Sequence, residues 1–263
     1  LNPLRLGVVG ACGRMGLRIL ELAQEAPEIQ IVGAAESEGH ARVGEELVSG
    51  VVVGSDVKEL MRQAEVYIDF SVPESSLAAA AAASAEGTGA VIGTTGFTEK
   101  QLADLQAACE PIAWILAPNM SFGVAVLAKL VRDASARLGR GYDVEIVETH
   151  HKRKKDAPSG TALHLAEEAS AGKRWTWKEV ACFGREGPVG PREETQIAVH
   201  AVRGGDVVGE HRVMFLGPGE TIELVHKAES RDTFAQGALK AALFLRDRPA
   251  GRYEIADVVL GAS

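Results

Sequence analysis

Over the first 121 residues, short apolar runs alternate with stretches whose apolar positions recur at helical spacing. Residues 4–10 read as a buried strand, and Met15, Ile19, Leu22 and Ala23 then line one face of a helix reaching about Glu25. Ile29–Ala35 is the next strand pattern and runs into Glu36. Residues 51–53, 66–70, 90–92 and 112–117 give further strands, interleaved with helices over 56–64, 74–85 and 98–108. Asp56 can open the first of these helices, and Thr98 stands at capping-box spacing from Gln101 at the start of the last. Repeated strand–helix units predict an α/β fold, a Rossmann-type doubly wound parallel sheet.

Past Ser121 the rhythm changes. Phe122–Leu138 reads as one long helix, with Val126, Leu127, Leu130, Val131 and Leu138 apolar. A strand through Val144, Ile146 and Val147 leads to a loop, and 163–169 are again helical. Ile197–Arg203, 210–216 and 221–228 alternate like neighbouring strands, separated by Gly204-Gly205-Asp206 and Gly217-Pro218-Gly219. A helix followed by a run of strands predicts a second α+β domain with a mixed or antiparallel sheet. A helix over 233–245 and a short strand over 253–259 return to the first domain. The boundaries expected are therefore 1–121 plus 232–263 for a dinucleotide-binding domain and 122–231 for a substrate domain. Residues 175–194, rich in Gly and Pro, read as loop and carry no assignment.

Composition narrows the classes. The 263 residues are 46% hydrophobic, enough for two cored domains, and the net charge of -8 argues against a general nucleic-acid binder. There is no apolar run of membrane-spanning length and no signal-peptide layout at the N-terminus. Three cysteines, Cys12, Cys109 and Cys182, suit a reducing compartment, so a cytoplasmic protein is expected.

The chemistry concentrates in a few stretches. Gly10, Gly13 and Gly16 follow the first strand and open the first helix, in a Gly-x-x-Gly-x-x-Gly variant of the dinucleotide turn, and Glu36 lies twenty positions on. Such glycines let the backbone approach a pyrophosphate, and the carboxylate takes ribose hydroxyls. Gly93-Thr94-Thr95 and Ala117-Pro118-Asn119-Met120 stand at strand ends, where such sheets bind ligands; the competing reading is of plain connecting loops. In the second domain, His150 and His151 precede four consecutive basic residues, Lys152 to Lys155, and a Pro-Ser-Gly-Thr turn. A solvated charge run is one reading. An anion site is the other: Ser159 caps a helix starting near Thr161, whose free N–H groups bind a carboxylate, and the histidines titrate near neutral pH. His150 and Lys154 are four apart but on a loop. A dinucleotide on one domain and an anion site on the other predict a dehydrogenase. The alternatives are a nucleotide-dependent regulator on the same scaffold, which would not need paired histidines beside a lysine, and another oxidoreductase acting on a different acid.

Four segments together carry a more specific likeness: Gly10-Ala-Cys-Gly-Arg-Met-Gly16, Gly93-Thr-Thr-Gly-Phe97, His150-His-Lys-Arg-Lys154-Lys-Asp-Ala-Pro-Ser-Gly-Thr161 and Arg203-Gly-Gly-Asp-Val-Val-Gly-Glu-His211. In order, from Leu4 to about Leu260, the chain resembles the 4-hydroxy-tetrahydrodipicolinate reductase (dihydrodipicolinate reductase) family. The resemblance implies reduction of a cyclic unsaturated dicarboxylate by NADH or NADPH on the diaminopimelate route to lysine. It also implies a homotetramer built through the second domain's sheet; no metal, nucleic acid or membrane partner is expected. By position, His150 is then the acid/base and Lys154 the proton donor. His151, Ser159, Gly160 and Thr161 hold the substrate carboxylates. Gly10, Ala11, Cys12, Gly13, Arg14, Met15, Glu36, Gly93, Thr94, Thr95, Ala117, Pro118, Asn119 and Met120 bind the cofactor. Hydride addition to a conjugated C=C–C=N system builds negative charge toward the ring nitrogen, which a cation stabilises before an acid protonates the ring. Two departures stand out. Ser37 and then Glu38 follow the ribose-binding acid where many members have Arg, which favours NADH, and Arg153 stands where others often have His.

Overall fold

The computed structural model describes residues 2–261, and the chain divides into two compact units, Leu1–Ser121 with Asp232–Ser263, and Phe122–Arg231. The first unit opens with β1 (Leu4–Val9), α1 (Arg14–Gln24), β2 (Ile29–Ala35), β3 (Glu46–Val48), β4 (Val51–Gly54) and α2 (Val57–Gln63). It continues with β5 (Val66–Asp69), α3 (Pro73–Glu86), β6 (Gly89–Ile92), α4 (Glu99–Cys109) and β7 (Ala113–Leu116). Local chemistry sets the helix ends. Asp56 accepts the Glu59 N–H at 3.0 Å to start α2, Pro73 opens α3, and Thr98 and Gln101 cap each other reciprocally at α4.

The second unit contains α5 (Phe122–Leu138), β8 (Asp143–His150), α6 (Gly160–Lys173), α7 (Trp177–Val180), β9 (Ala181–Phe183), β10 (Ile197–Arg203), β11 (Gly209–Gly217) and β12 (Glu220–Ala228). The chain then returns to the first unit with α8 (Asp232–Leu245), β13 (Gly251–Tyr253) and α9 (Ile255–Leu260).

In the first unit the strands run in the order β13-β7-β6-β5-β1-β2-β4-β3, parallel throughout except for β3 against β4. Every residue of β5 and of β6 is buried, as a parallel strand covered on both faces requires. Leu60, Met61, Ala79, Ala83, Leu105 and Cys109, from α2, α3 and α4, form the core on one face with Tyr67, Ile92 and Trp114 of the sheet. β1 has β2 on one side and β5 on the other, so the strand order reverses there and opens a crevice beyond their carboxyl ends.

The second sheet runs β12-β11-β8-β10-β9. β8, β10 and β9 are parallel, whereas β11 is antiparallel to both β8 and β12, so the sheet is mixed. Val144 and Ile146 of β8 and Val213 and Phe215 of β11 pack against Leu127, Val131, Leu165 and Ala169 of α5 and α6.

Three elements differ from the sequence expectation. The segment 253–259, expected as a strand, is the end of β13 followed by α9: Asp257 accepts the Glu254 N–H at 2.8 Å in a capping box, and Ile255, Val258 and Val259 fit helical spacing. β3, absent from the expectation, is a short edge strand turned back on β4 at Gly50 (φ +78°). The stretch 175–194 holds α7 and β9, and the loop beyond β9 is pinned by two arginines. Arg185 and Arg192 both grip Glu145 on the sheet face away from α5 and α6, at 2.8–2.9 Å, and His200 joins them at 2.8 Å. Burial pushes the Glu145 carboxyl up, but the hydrogen bonds from Arg185, His200 and Arg192 overrule it and hold it at about 2.

Candidate active site

In the first unit the expected cofactor residues gather at one edge of the parallel sheet, beyond the ends of β1, β2, β6 and β7. Gly10 has φ +73°, and a Cβ there would sit 2.6 Å from the Phe70 carbonyl oxygen. A Cβ on Gly16 would lie 2.3 Å from the Gly10 carbonyl oxygen. The turn is therefore possible only with glycine at these points. Gly13 is the N-cap of α1 and gives it no side-chain cap, and no acidic residue stands in the first turn, which leaves the terminus suited to an anion. These features fit a dinucleotide pyrophosphate. Glu36 is half-buried and takes the Cys12 N–H at 3.2 Å and the Ser37 N–H at 3.0 Å, so the acid lies against the glycine turn.

Not every expected residue offers a side chain. Ala11, Gly93, Thr94 and Met120 are buried, whereas Gly13, Arg14, Thr95 and Pro118 are exposed and Cys12, Met15, Ala117 and Asn119 are intermediate. Thr94 is used internally: its hydroxyl accepts the Ser71 N–H at 2.9 Å and donates to Asp69 at 3.3 Å. Asn119 accepts the Ser121 N–H at 2.9 Å. Asp69 and Ser71, which no sequence feature singled out, thus fix the loop after β6 against the end of β5. Although no metal was expected, Cys12, Glu36 and His40 bring ligand-capable atoms within 4.8 Å of one another.

In the second unit the centre is Glu148, wholly buried near the end of β8. Arg203, at the end of β10 and in register with His150, forks onto it with two bonds of 2.7 Å. His150 Nδ1 lies 2.5 Å from one carboxylate oxygen, and the Ser159 N–H donates to the other at 2.9 Å. Burial pushes the carboxyl up; His150, Arg203 and the Ser159 N–H outweigh it and hold Glu148 at about 2. Ser159 also caps α6, its hydroxyl accepting the Ala162 N–H at 3.2 Å and meeting His211 Nε2 at 3.1 Å. His211 stands edge-on to His150 with ring centroids 5.1 Å apart. Burial, with His150 nearby, holds His211 down at about 3, so it stays neutral.

His150 is the last residue of β8, not part of the loop as expected, because the alternation that buries Val144, Ile146 and Glu148 carries through to it. Lys154 is on the loop, its side chain largely covered and paired with exposed Asp156 at 2.9 Å. Arg153 pairs with Asp206 at 3.0 Å, so part of the basic run is neutralised within the second unit. His151 follows directly, its Nδ1 buried with no hydrogen-bond partner; burial, Arg153 and Arg231 push its imidazole down. Nothing lies within 4 Å of where a Gly160 Cβ would be, so the start of α6 faces open space beside Thr161. Glu148, Arg203 and His211 complete the centre and had no expected role. Glu148 was within reach of the sequence, since it continues the inward positions of β8.

A dinucleotide turn at the reversal point of a doubly wound sheet, joined in the same chain to a buried histidine–carboxylate centre beside a lysine, defines an NAD(P)-dependent oxidoreductase. The family model for the dihydrodipicolinate reductase N-terminus matches residues 4–120, and that for its C-terminus matches 123–259. The 4-hydroxy-tetrahydrodipicolinate reductase of Nitratidesulfovibrio vulgaris strain DP4 is 48% identical over 258 residues, 95% of this chain and 97% of its own. That of Syntrophobacter fumaroxidans is 43% identical over 264 residues, 98% of each chain. The chain belongs to the dihydrodipicolinate reductase family. In fold it is similar to the solved dipicolinate-bound dihydrodipicolinate reductase of Paenisporosarcina sp. TG-14, with a TM-score of 0.77 and 23% identity over 96% of this chain and 97% of the other. The NAD complex of GenD2 from gentamicin A biosynthesis shares the fold more distantly, at a TM-score of 0.64 and 14% identity over 98% of this chain and 91% of the other.

The buried groups make stability depend on pH. Between the folded value of His211, about 3, and its ordinary 6.5, the unfolded chain binds the extra proton. Stability therefore falls as pH drops through that window, by up to about 1.4 kcal/mol per pH unit. Glu148 and Glu145, depressed to about 2 from 4.5, add a further loss as pH falls below 4.5. His211→Gln is expected to flatten urea-denaturation stability between pH 6.5 and about 5; equal slopes in wild type and variant would contradict the burial of a neutral imidazole.

Proposed function

We propose that the chain reduces 4-hydroxy-tetrahydrodipicolinate to tetrahydrodipicolinate with NADH or NADPH, on the diaminopimelate route to lysine, using the 148–161 segment to bind the dicarboxylate and move the proton. The observation that carries this reading is that one buried carboxylate, Glu148, holds both the His150 ring and the capping residue of α6. A proton carrier and an anion-binding helix terminus are thereby fixed to a single point. The first unit is the dinucleotide-binding domain, with Gly10 to Met15 at the pyrophosphate, Glu36 at the ribose hydroxyls, and Gly93 to Thr95 and Ala117 to Met120 toward the nicotinamide. The bound nicotinamide supplies the hydride.

The second unit is the substrate domain. Ser159, Gly160 and Thr161, with His151, hold substrate carboxylate at the start of α6, where backbone dipoles favour an anion. Lys154 stabilises negative charge at the ring nitrogen and delivers a proton. Its present partner, Asp156, is exposed, and such a pair is worth roughly 1 kcal/mol or less, so a substrate carboxylate can displace it. His150 serves as acid/base through Nε2.

NADH is the favoured cofactor. Exposed Glu38 opposes a 2′-phosphate, Ser37 offers no charge, and Arg42 is already paired with Glu45 at 2.8 Å. The assembly is a homotetramer formed through the open face of the second sheet, where Val202, Leu216 and Val225 are 46%, 37% and 41% exposed. Three free cysteines suit a reducing compartment, the cytoplasm. Among the described residues no helix is long and apolar enough to cross a membrane.

Lys154→Ala and His150→Gln should each lose on the order of 100-fold in kcat with NADH affinity nearly unchanged. Thr161→Val should raise KM for the dicarboxylate more than it lowers kcat. Near-normal kcat in both of the first two variants would mean that the segment is only an anion clamp. Titration calorimetry should give tighter binding of NADH than of NADPH, and equal or better affinity for NADPH would overturn the preference. Light scattering should return four times the 27.8 kDa chain mass; a monomer at micromolar concentration would remove the tetramer.

A further inference from the structure

We infer that Glu148 is a positioning residue: clamped by Arg203, it holds the His150 ring in one tautomer and registers it against the substrate-binding end of α6. The inference rests on the assignment of His150 as the proton carrier and adds the device that makes it one. Both carboxylate oxygens are fully engaged. Oε1 accepts from Arg203 at 2.7 Å and from the Ser159 N–H at 2.9 Å; Oε2 accepts from Arg203 at 2.7 Å and lies 2.5 Å from His150 Nδ1. An ionised carboxylate has no proton to give, so Nδ1 carries the hydrogen and Nε2 is the nitrogen left for proton transfer. That nitrogen lies against Gly209, where a Cβ would stand only 3.0 Å away, so any larger residue there would press on the ring.

Arg203 makes the arrangement sustainable. A lone carboxylate with no exposure would take up a proton rather than stay charged. The guanidinium prevents that, and the same group donates to the Asp156 carbonyl at 2.7 Å, which ties down the loop bearing Lys154. Both proposed proton-transfer groups are thus referenced to one ion pair. The charged or titratable groups set against His150 are Glu148 on its own strand, His211 from β11 and the adjoining His151, with Arg203 from β10 on the shared carboxylate.

The test combines kinetics with nitrogen-15 spectra of the imidazoles. In the wild-type protein His150 should show the Nδ1–H tautomer when neutral. Glu148→Gln keeps one acceptor oxygen but puts an NH2 donor in place of the other and removes the charge, so it cannot match His150, Arg203 and the Ser159 N–H together; it should lower kcat on the order of 10-fold or more, shift the pH limb owed to His150 and leave NADH binding unchanged. The double variant Glu148→Gln/His150→Gln should lose less than the two single losses combined, because Glu148 acts in good part through that ring. If Glu148→Gln does not fold, Arg203→Lys keeps a cation but loses the fork, and should show the same direction in kcat, pH limb and tautomer. An Nε2–H tautomer in the wild type, an unmoved pH limb in the folded variant, or additive losses in the double variant would overturn the positioning role. Normal kcat in His150→Gln would instead remove the assignment of His150 itself.

Discussion

A carboxylate sealed from water must be matched on every lone pair, and the matching of Glu148 sets the geometry of the second unit's candidate site. Its partners come from the end of its own strand, from β10, and from the residue that caps α6. Removing any one of them would leave a buried charge short of a donor, a loss that commonly costs several kcal/mol. The alternation of β8 brings this about: the positions that place Val144 and Ile146 against α5 and α6 also drive Glu148 inward at the point where the apolar core ends. The depressed carboxyl, the fixed imidazole and the oriented helix start are three consequences of that one placement.

The first unit meets a different constraint. Its glycine turn is shaped by close backbone approach rather than by charge, since Cβ atoms at Gly10 and Gly16 would overlap carbonyl oxygens. Glu36 already leans on the Cys12 N–H, so the acid and the turn form one surface before any ligand arrives. The two units are thus shaped by separate physics: glycine sterics at the turn of one, a compensated buried ion in the other.

Much of this was legible in the sequence because it is local. Period and glycine spacing indicate β1, α1 and β2, and Thr98 with Gln101 fixes the start of α4. His150, Lys154 and the Ser159 cap lie within twelve consecutive residues whose types point to proton transfer and anion binding. What escaped depends on contacts between distant residues. Arg203 meets Glu148 across 55 positions, and no spacing rule links them. The order of the loop after β9 comes from Arg185 and Arg192 reaching Glu145, 40 and 47 positions away. α9 was misjudged because six residues with apolar neighbours satisfy strand and helix periods alike, and the Glu254–Asp257 cap decides between them.

The most direct measurement is the oxidation of NADH by the purified chain in the presence of freshly generated 4-hydroxy-tetrahydrodipicolinate, followed as loss of reduced-nicotinamide absorbance. The predicted result is catalytic turnover that requires both the dicarboxylate and the protein and consumes one NADH per molecule reduced. Binding of NADH without any turnover above the protein-free rate would contradict the assignment of this chain as the reductase.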